Sequence, residues 1–389
     1  MGVYADYLNN LHDIDAINLE RKKLLKKISE LRDNRDILVI ASNLSHNKAP
    51  ISIDYTDILP VHDQLENLHG TAIDIILETP GGFAEVVEDI VKIIRAKYEH
   101  VGIIIPGYAK SAGTIFTMAG DEILMGATSA LGPIDAQIML ANGKRYSADA
   151  FLKGIEDIKK VVDETKKLNA AYIPILQNIS PGEIQHCVNA QCFSKRLVTD
   201  WLANYKFKFW KTHSDGREVT EQERLARADE IADKLTSQST WLTHGRSIKI
   251  KDLEDLRLKI FDYSKQAELN TAIMSYYTLL RMTFEGSNLY KLFETPDSQI
   301  YRHVVSNIAP IIPFPPGTIP KSVMADLSCN SCKANFKIQA NFEKEVVVPP
   351  GVLLLSGNSN TIKCPNCNKE HDLSQLKIQI ESQTNRKIV

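Results

Sequence analysis

Residues 78–134 constrain the fold of this chain more than any other part of the sequence. The stretch opens with Glu-Thr-Pro-Gly-Gly after an apolar run, continues through a helical pattern and a second apolar run, and then reaches Ser111. This serine follows Gly81 by 30 positions and stands where a turn of small residues meets another apolar run. Strands that alternate with helices at this spacing predict βαβ units on a parallel sheet.

The same alternation extends to both sides of this stretch. Apolar runs typical of buried strands occupy residues 36–43, 72–78, 101–105 and 122–125. Helical spacing of apolar residues occupies residues 62–68, 83–98 and 111–119, and further helices are predicted at 148–168, 181–204, 220–235 and 251–290. The sequence therefore predicts an α/β fold with helical extensions.

The serine and the glycine pair together predict a nucleophile that faces an oxyanion site. Gly81 and Gly82 follow a strand directly, and glycine adopts backbone conformations that are closed to other residues. Ser111 opens a helix, so its hydroxyl is expected near the positive end of the helix dipole. The amides of Gly82 and Ala112 are then expected to converge on a substrate carbonyl oxygen. In the alternative interpretation, Ser111 only caps the helix.

These motifs resemble those of a known superfamily. Thr-Pro-Gly-Gly, Ser-Ala-Gly-Thr, Met-Ala-Gly-Asp and Leu-Gly-Pro-Ile-Asp, in that order, are similar to the Clp protease/crotonase superfamily. The similarity is greatest to its serine dehydrogenase proteinase family, which is related to signal peptide peptidase A, and it covers residues 30–290. It implies a spiral of ββα units and a serine endopeptidase with Ser111 as nucleophile and the amides of Gly82 and Ala112 as oxyanion hole.

The resemblance defines the general base less clearly than the nucleophile. Clp proteases carry a histidine after the serine, and counting without gaps places that position at Ala136. The signal peptide peptidase branch uses a lysine instead, and Lys153 is the only lysine in the matching region, residues 147–153. Lys153 is therefore the expected base of a Ser/Lys dyad, and a solvated helix lysine is the alternative. Weaker candidates are Lys144, Lys159 and Lys160, and Lys110, although adjacent to the serine, is expected to point elsewhere.

Two other polar residues occur in the motifs. Asp135 ends Leu-Gly-Pro-Ile-Asp and is expected to fix a turn or a subunit contact. His244, in Thr-His-Gly-Arg-Ser, is expected to be either a structural histidine or a site residue that is completed in the assembly.

Four cysteines near the C-terminus form two Cys-x-x-Cys pairs. Cys329 and Cys332 are separated from Cys364 and Cys367 by 31 residues, with β-type runs between them. In a chain without a readable export signal, this spacing favours a metal over disulfides. It predicts a zinc ribbon in which four thiolates hold a structural Zn²⁺ and leave no coordination position for water.

Composition and charge limit the class of protein. A hydrophobic fraction of 43% and a charged fraction of 24% are ordinary for a globular chain, and 389 residues are enough for two or three domains. A net charge of -2 argues against binding long nucleic acid through a basic face, although binding through a local patch stays open. The sequence shows neither an apolar run of about 18 residues nor a signal peptide, so a cytoplasmic location and no membrane partner are expected.

Five parts are predicted along the chain. They are an N-terminal helix at 1–36, the peptidase domain at 37–215, a helical accessory region at 216–309, a proline-rich linker at 310–320 and the zinc ribbon at 321–389.

The expected partners are a peptide or protein substrate and further copies of the chain. Since the sequence holds no ATPase motif, the protein is expected either to take peptides and loose chains or to work with a separate unfoldase or adaptor. Two alternatives stay open: a crotonase-type acyl-CoA enzyme, and a catalytically silent oligomeric scaffold that binds protein or nucleic acid through its zinc ribbon.

Overall fold

The computed structural model describes residues 3–10, 13–46, 49–139, 145–304, 321–329, 331–343, 345–374, 376–377, 380–381 and 386–389. Contacts divide the chain into two compact units, Met1–Val304 and Val305–Val389. The predicted linker at 310–320 and the candidate Lys144 lie outside the described residues. The finer division of the first unit at residues 36 and 215 stays a prediction.

The first unit is organised around one large sheet. Its strands, within the described residues, are β1 Asp36–Ser42, β2 Ala72–Glu78, β3 His100–Ile105, β4 Tyr108–Ala109, β5 Glu122–Met125, β6 Ala130–Leu131, β7 Gln137–Met139, β8 Arg145–Ser147, β9 Phe261–Asp262, β10 Leu289–Glu294 and β11 Gln299–His303. Seven of them form a sheet in the order β11-β10-β1-β2-β3-β5-β9. The five strands β1, β2, β3, β5 and β9 run parallel to one another. The strands β10 and β11 form an antiparallel edge beside β1.

Helices cover this sheet and extend from it. They are α1 Val3–Asn10, α2 Ile14–Leu31, α3 Ile58–Glu66, α4 Ala84–Lys97, α5 Ala112–Met118, α6 Ala148–Thr165, α7 Ile173–Leu176, α8 Pro181–Trp201, α9 Glu221–Thr236, α10 Gln238–Trp241, α11 Ile250–Asp255 and α12 Ala267–Glu285. The helices α3, α4 and α5 lie between successive parallel strands in the sequence, which confirms the predicted βαβ alternation.

The central strands are apolar on both faces because helices cover both faces of the sheet. Successive residues of a strand point to opposite sides. Leu38 and Ile40 of β1 accordingly belong to the cluster that contains α3, α4 and α5 residues, and Ile37 and Val39 belong to the cluster formed with α2 and α12. This two-sided burial explains why the strand runs are continuous rather than alternating.

A second row of short backbone pairings runs beside the main sheet. The strands β4 and β6 pair in parallel, and isolated bridges join Ile53 to Gly82, Thr79 to Ala109, and Leu131 to Ile248. Strands β1, β2 and β3 are each followed by a short paired segment and then by a helix, as in β3, β4 and α5. This repeat confirms the expected Clp-like arrangement of ββα units.

The prediction of one long helix at residues 251–290 is wrong. The structure has α11, then β9, then α12 and the start of β10 in this region. Strand β9 pairs with β5 through only two residues, Phe261 and Asp262, so it is too short to show an apolar alternation. The antiparallel edge formed by β10 and β11 was also not predicted.

The second unit is small and rich in β structure. Its strands are β12 Ser322–Ser328, β13 Asn335–Asn341, β14 Val352–Leu355, β15 Thr361–Lys363 and β16 Glu370–Asp372. The first three form one sheet and the last two form a hairpin. Cys329 and Cys364 lie within its own apolar cluster, so the predicted cysteine module has a core separate from that of the first unit.

Candidate active site

Ser111 occupies a strained turn directly before α5. Its backbone has φ 51° and ψ -118°, and a positive φ at a residue with a side chain costs about 1–3 kcal/mol. The half-buried serine side chain makes no capping hydrogen bond to the helix. Helix capping therefore does not explain this serine, and the strain is typical of a functional position.

The surrounding backbone holds this turn in place. Lys110 N donates to Thr79 O at 3.1 Å, and Gly113 N donates to Lys110 O at 2.8 Å. Thr114 Oγ1, one turn into α5, donates to Ala109 O at 2.8 Å. These bonds fix the segment on both sides of Ser111 to the end of β2 and to its own helix.

The glycine turn lies against the serine. Gly81 has φ 110°, and a Cβ added to it would lie 2.7 Å from Ser111 Cβ and 3.2 Å from Ala112 N. A Cβ on Gly82 would meet Ile53 O at 2.2 Å. Only glycine therefore fits at these two positions, and the fold brings together the two motifs that the sequence separates by 30 residues.

Two backbone amides next to Ser111 are free to act as donors. Ala112 begins α5, and the first amides of a helix have no partner within the helix. Within the described residues, neither Ala112 N nor Gly82 N donates a hydrogen bond to the protein. Gly82 is exposed. Unpaired donors beside a nucleophile are the elements of an oxyanion site.

The lysine predicted from the spacing lies on α6. Lys153 has an exposed side chain, and α6 buries little of its surface apart from Ala148 at its start. Lys159, a weaker candidate on the same helix, lies 3.7 Å from Glu156 in an exposed ion pair. The assignment of Lys153 as the base stays a prediction.

Lys110, which precedes Ser111, contacts two other segments of the chain. Its Nζ donates to Leu131 O at 2.9 Å, to Arg246 O at 2.8 Å and to Ser247 Oγ at 3.1 Å. Burial, and next the charge of Lys249, lower the pKa of Lys110 to about 8. The ammonium group thus ties the serine segment to residues 246–247.

The structure pairs Asp135 with His244. His244 Nδ1 lies 2.7 Å from Asp135 Oδ1, and Gln137 Nε2 donates to Asp135 Oδ2 at 2.8 Å. The carboxylate is fully buried, whereas 33% of the His244 side chain is exposed. Sequence reasoning missed this pair because 109 positions separate the two residues, and their only signal was that each lies in a short motif.

A buried carboxyl supports the strand that leads to Ser111. Glu78 accepts from Tyr108 N at 2.7 Å and from Tyr277 Oη at 3.0 Å. Burial raises the pKa of Glu78 to about 7, although these hydrogen bonds favour the charged form. The residue before the Thr-Pro-Gly-Gly turn is therefore a carboxyl that titrates near neutral pH.

The four predicted cysteine ligands converge in the second unit. The Sγ atoms of Cys329, Cys332, Cys364 and Cys367 all lie within 4.8 Å of one another. The distances are 3.6 Å between Cys329 and Cys367 and 3.7 Å between Cys332 and Cys364. A tetrahedral zinc ion with Zn–S bonds of about 2.3 Å requires sulfurs about 3.8 Å apart, so the donor set fits the metal.

Polar groups outside this set orient the sulfurs. Cys332 N donates to Cys329 Sγ and Asn366 N donates to Cys364 Sγ, both at 3.4 Å. His371 Nε2 lies 3.3 Å from Cys329 Sγ, which makes it a neighbour of the ligand and not a replacement for it. Such contacts stabilise thiolates in metal sites.

The family model of ClpP-like SDH-type serine proteinases matches residues 9–177, which include the Thr-Pro-Gly-Gly turn, Ser111 and α6. The resemblance found in the motifs is confirmed over this part of the chain, and it supports a peptidase.

Two relatives are similar to this chain over most of its length. Two proteins of Methanocaldococcus jannaschii, the uncharacterized proteins MJ0137 and MJ1495, are 29% and 28% identical to this chain. The first alignment covers 67% of this chain and 79% of the relative, and the second covers 61% and 71%.

Among solved structures, a mutant of the 1510-N membrane-bound stomatin-specific protease in complex with a substrate peptide is 17% identical, with a TM-score of 0.30 over 53% of this chain and 68% of that one. ClpP1 from Listeria monocytogenes is 13% identical, with a TM-score of 0.31 over 62% of this chain and 94% of that one.

Among the described residues, no helix has both the length and the apolar character needed to cross a bilayer.

Proposed function

We propose that this protein is a serine endopeptidase that hydrolyses peptide bonds through an acyl-enzyme on Ser111. The observation that carries the proposal is the contact of Gly81 with a serine in a strained turn, where an added Cβ would lie 2.7 Å from Ser111 Cβ. Strain at a half-buried serine without a capping bond is explained by a role for its hydroxyl.

In the proposed mechanism, Ser111 Oγ attacks the carbonyl carbon of the scissile peptide bond and a base accepts the serine proton. The amides of Gly82 and Ala112 donate to the carbonyl oxygen as it becomes negative. Loss of one such donor costs about 2.7–4 kcal/mol of transition-state stabilisation. The amine then leaves with a proton, and water hydrolyses the ester and restores the serine.

Lys153 is the proton acceptor that the resemblance to the signal peptide peptidase branch implies, in a Ser/Lys dyad. A lysine must be desolvated to lose its proton near neutral pH. The exposed position of Lys153 on α6 means that this role requires burial of α6, for which a second copy of the chain is the proposed means. A homo-oligomer is therefore part of this proposal.

The cysteine module is proposed to bind a structural Zn²⁺. Its four sulfurs would hold the metal, and the chain contributes the backbone donors of Cys332 and Asn366 that stabilise the thiolates. A cytoplasmic location, peptide or unfolded protein substrates, and an unfoldase or adaptor as partner are proposed together with the peptidase activity.

The test is the hydrolysis of an unfolded protein substrate by the full chain. The wild type is expected to release peptides, and Ser111→Ala is expected to lose this activity by a factor of about 10³ or more. A matched control is Ser45→Ala, which removes an exposed hydroxyl that accepts a hydrogen bond from Arg281. Equal hydrolysis by the wild type and Ser111→Ala would overturn the proposal.

A crotonase-type acyl-CoA enzyme would instead retain activity on acyl-CoA in Ser111→Ala, since that chemistry needs the amides and not the serine.

A further inference from the structure

The strained turn at Ser111 requires support from the residues around it. A backbone conformation of this kind persists only where neighbouring contacts hold it. Two backbone bonds hold the turn at its ends, from Lys110 N to Thr79 O and from Gly113 N to Lys110 O. Neither bond attaches the turn to β6 or to residues 246–248, which lie on its other side.

The Lys110 side chain makes this second attachment. Its Nζ has three acceptors, which are Leu131 O at 2.9 Å, Arg246 O at 2.8 Å and Ser247 Oγ at 3.1 Å. Leu131 and Ile248 exchange two backbone hydrogen bonds of 3.0 Å, so the acceptors belong to two segments that are paired with each other. The residue before the nucleophile therefore links the turn to this pair of segments.

Gly132 fixes the path of the lysine side chain. A Cβ added to Gly132 would lie 2.7 Å from Lys110 Cδ, so the stem of the lysine lies directly against this glycine. Thr114 Oγ1 in turn donates to Gly132 O and accepts from Gly132 N, both at 2.9 Å. The stem thus packs on a residue that is itself held by α5, the helix that begins after Ser111.

The number of bonds that Lys110 makes depends on its proton. An ammonium group has three N–H donors and no acceptor, which matches three acceptors. A neutral amine has only two N–H donors, and hydrogen bonds from a neutral donor are about half as strong as those from a charged one. Loss of the proton therefore removes one bond and weakens the other two.

The groups around Lys110 favour loss of this proton. Lys249 is the charged neighbour that acts on it, while Arg246 offers only its backbone carbonyl here and places its guanidinium over the Trp241 ring. The Tyr108 ring lies 5.7 Å from Lys110 Nζ. Burial, and then the positive charge of Lys249, lower the pKa of Lys110 to about 8.

We propose that Lys110 is a positioning residue for Ser111, and that its ammonium form holds the serine turn in the reactive conformation. The inference rests on the proposed function, because it concerns the reactivity of Ser111 Oγ. An ammonium has no lone pair, so Lys110 in this form accepts no proton and the role of base stays with Lys153. The full set of bonds is present below pH 8 and is lost as the pH rises through about 8.

The experiment measures, across this pH range, the rate at which a fluorophosphonate probe labels Ser111 in the full chain. Lys110→Met keeps the length of the stem and removes the donors. Lys23→Met is the matched control, because Lys23 is a surface lysine with 62% of its side chain exposed. The wild-type rate is divided by the variant rate at each pH, so that titration of the base and of the probe cancels. Thermal unfolding reports whether each variant is folded.

We expect the wild type to be labelled about 10-fold faster than Lys110→Met at pH values below 8. This factor is smaller than the roughly 100-fold cost of a displacement of about 1 Å, because the two backbone bonds of Lys110 remain in the variant. The ratio should fall as the pH rises through about 8. The ratio for Lys23→Met should stay at one.

Lys110→Arg provides a second variant that does not depend on the folding of Lys110→Met. Its guanidinium stays charged throughout this range. The ratio of the wild-type rate to the Lys110→Arg rate should therefore also fall as the pH rises through about 8.

Equal labelling of the wild type and Lys110→Met below pH 8 would overturn the inference. Ratios for both variants that do not change with pH would also overturn it, because a lysine that only packs against its neighbours gives a constant loss. The proposed function fails separately, when the wild type is not labelled or when Ser111→Ala is labelled equally well.

Discussion

At the scale of single residues, Gly81 lies so close to Ser111 that a larger residue at position 81 would clash with the serine. In Gly81→Ala, the new Cβ would lie 2.7 Å from Ser111 Cβ, at a φ of 110° that is strained for alanine. The serine must move, and a displacement of about 1 Å at a reacting group costs about 100-fold in rate. We therefore expect fluorophosphonate labelling of Gly81→Ala to be about 100-fold slower than that of the wild type.

The matched control for this variant is Gly154→Ala. A Cβ added to Gly154, on α6, meets no atom within 4 Å, so labelling should stay at the wild-type rate. Unchanged labelling of Gly81→Ala in a folded protein would show that the close contact is not needed for the reaction.

The raised pKa of Glu78 predicts that the stability of the folded protein depends on pH. Burial raises its pKa from 4.5 to about 7, so between these values the folded protein keeps a proton that the unfolded chain releases. The contribution of Glu78 to the free energy of unfolding is therefore fully present below pH 4.5 and falls as the pH rises towards 7. The total loss is about 3 kcal/mol. Glu78→Gln cannot titrate and should remove this loss.

The measurement is the free energy of unfolding by urea at a series of pH values. The difference between Glu78→Gln and the wild type should shift in favour of the variant as the pH rises from 4.5 to 7. A difference that stays constant over this window would contradict the raised pKa.

At the scale of elements, a buried ion pair joins α2 to the antiparallel edge of the sheet. Arg21, fully buried on α2, lies 3.0 Å from Glu294 Oε1 on β10 and donates to Tyr301 Oη on β11 at 2.9 Å. Removing one member of a buried pair costs about 3–5 kcal/mol, because the remaining charge is left without a partner. We expect Arg21→Ala to lower the free energy of unfolding by that amount.

Lys23→Ala serves as the comparison on the same helix. Lys23 pairs with Glu20 at the surface, with 62% of its side chain exposed, and such pairs contribute about 0–1 kcal/mol. Equal unfolding free energies for the two variants in urea would contradict the structural role assigned to Arg21.

The elements also show which parts of the fold the sequence predicts. The strands β1, β2, β3 and β5 were predicted because burial on both faces makes them continuously apolar. Strand β9 was missed because it has two residues, and its neighbour α12 extended the helical pattern across it. The hairpin of β10 and β11 was missed because β11 is mostly half-exposed and lacks a buried-strand pattern.

The same distinction applies to the candidate site. Gly81, Gly82 and Ser111 were predicted because each lies in a local strand–turn–helix signal that the sequence contains. The bond between Asp135 and His244 depends on a tertiary contact across 109 positions, and no local pattern reports it. Sequence alone therefore predicts the turns that carry Gly81, Gly82 and Ser111 more readily than the contact between Asp135 and His244.

At the scale of the whole molecule, the two compact units should respond differently to metal removal. The second unit has a small core around Cys329 and Cys364, and a structural zinc ion contributes most of the stability of such modules. A chelator, or Cys329→Ser, is expected to make residues of the second unit exchange amide hydrogens rapidly. Protection in β1, β2 and β3 should stay the same.

Zinc content by atomic absorption provides the second measurement. The wild type should hold one zinc ion per chain, Cys329→Ser should hold less, and Cys192→Ser, which changes an exposed cysteine of the first unit, should match the wild type. A wild-type chain purified with zinc in the buffer that nevertheless contains none would contradict the structural metal.

The most direct test of the central claim is to locate the covalent adduct that a fluorophosphonate forms with the full chain. Mass spectrometry of the digested protein should find one adduct per chain, on Ser111, and none in Ser111→Ala. An unmodified Ser111 in the folded wild-type protein, or an adduct on another residue that persists in Ser111→Ala, would contradict the account.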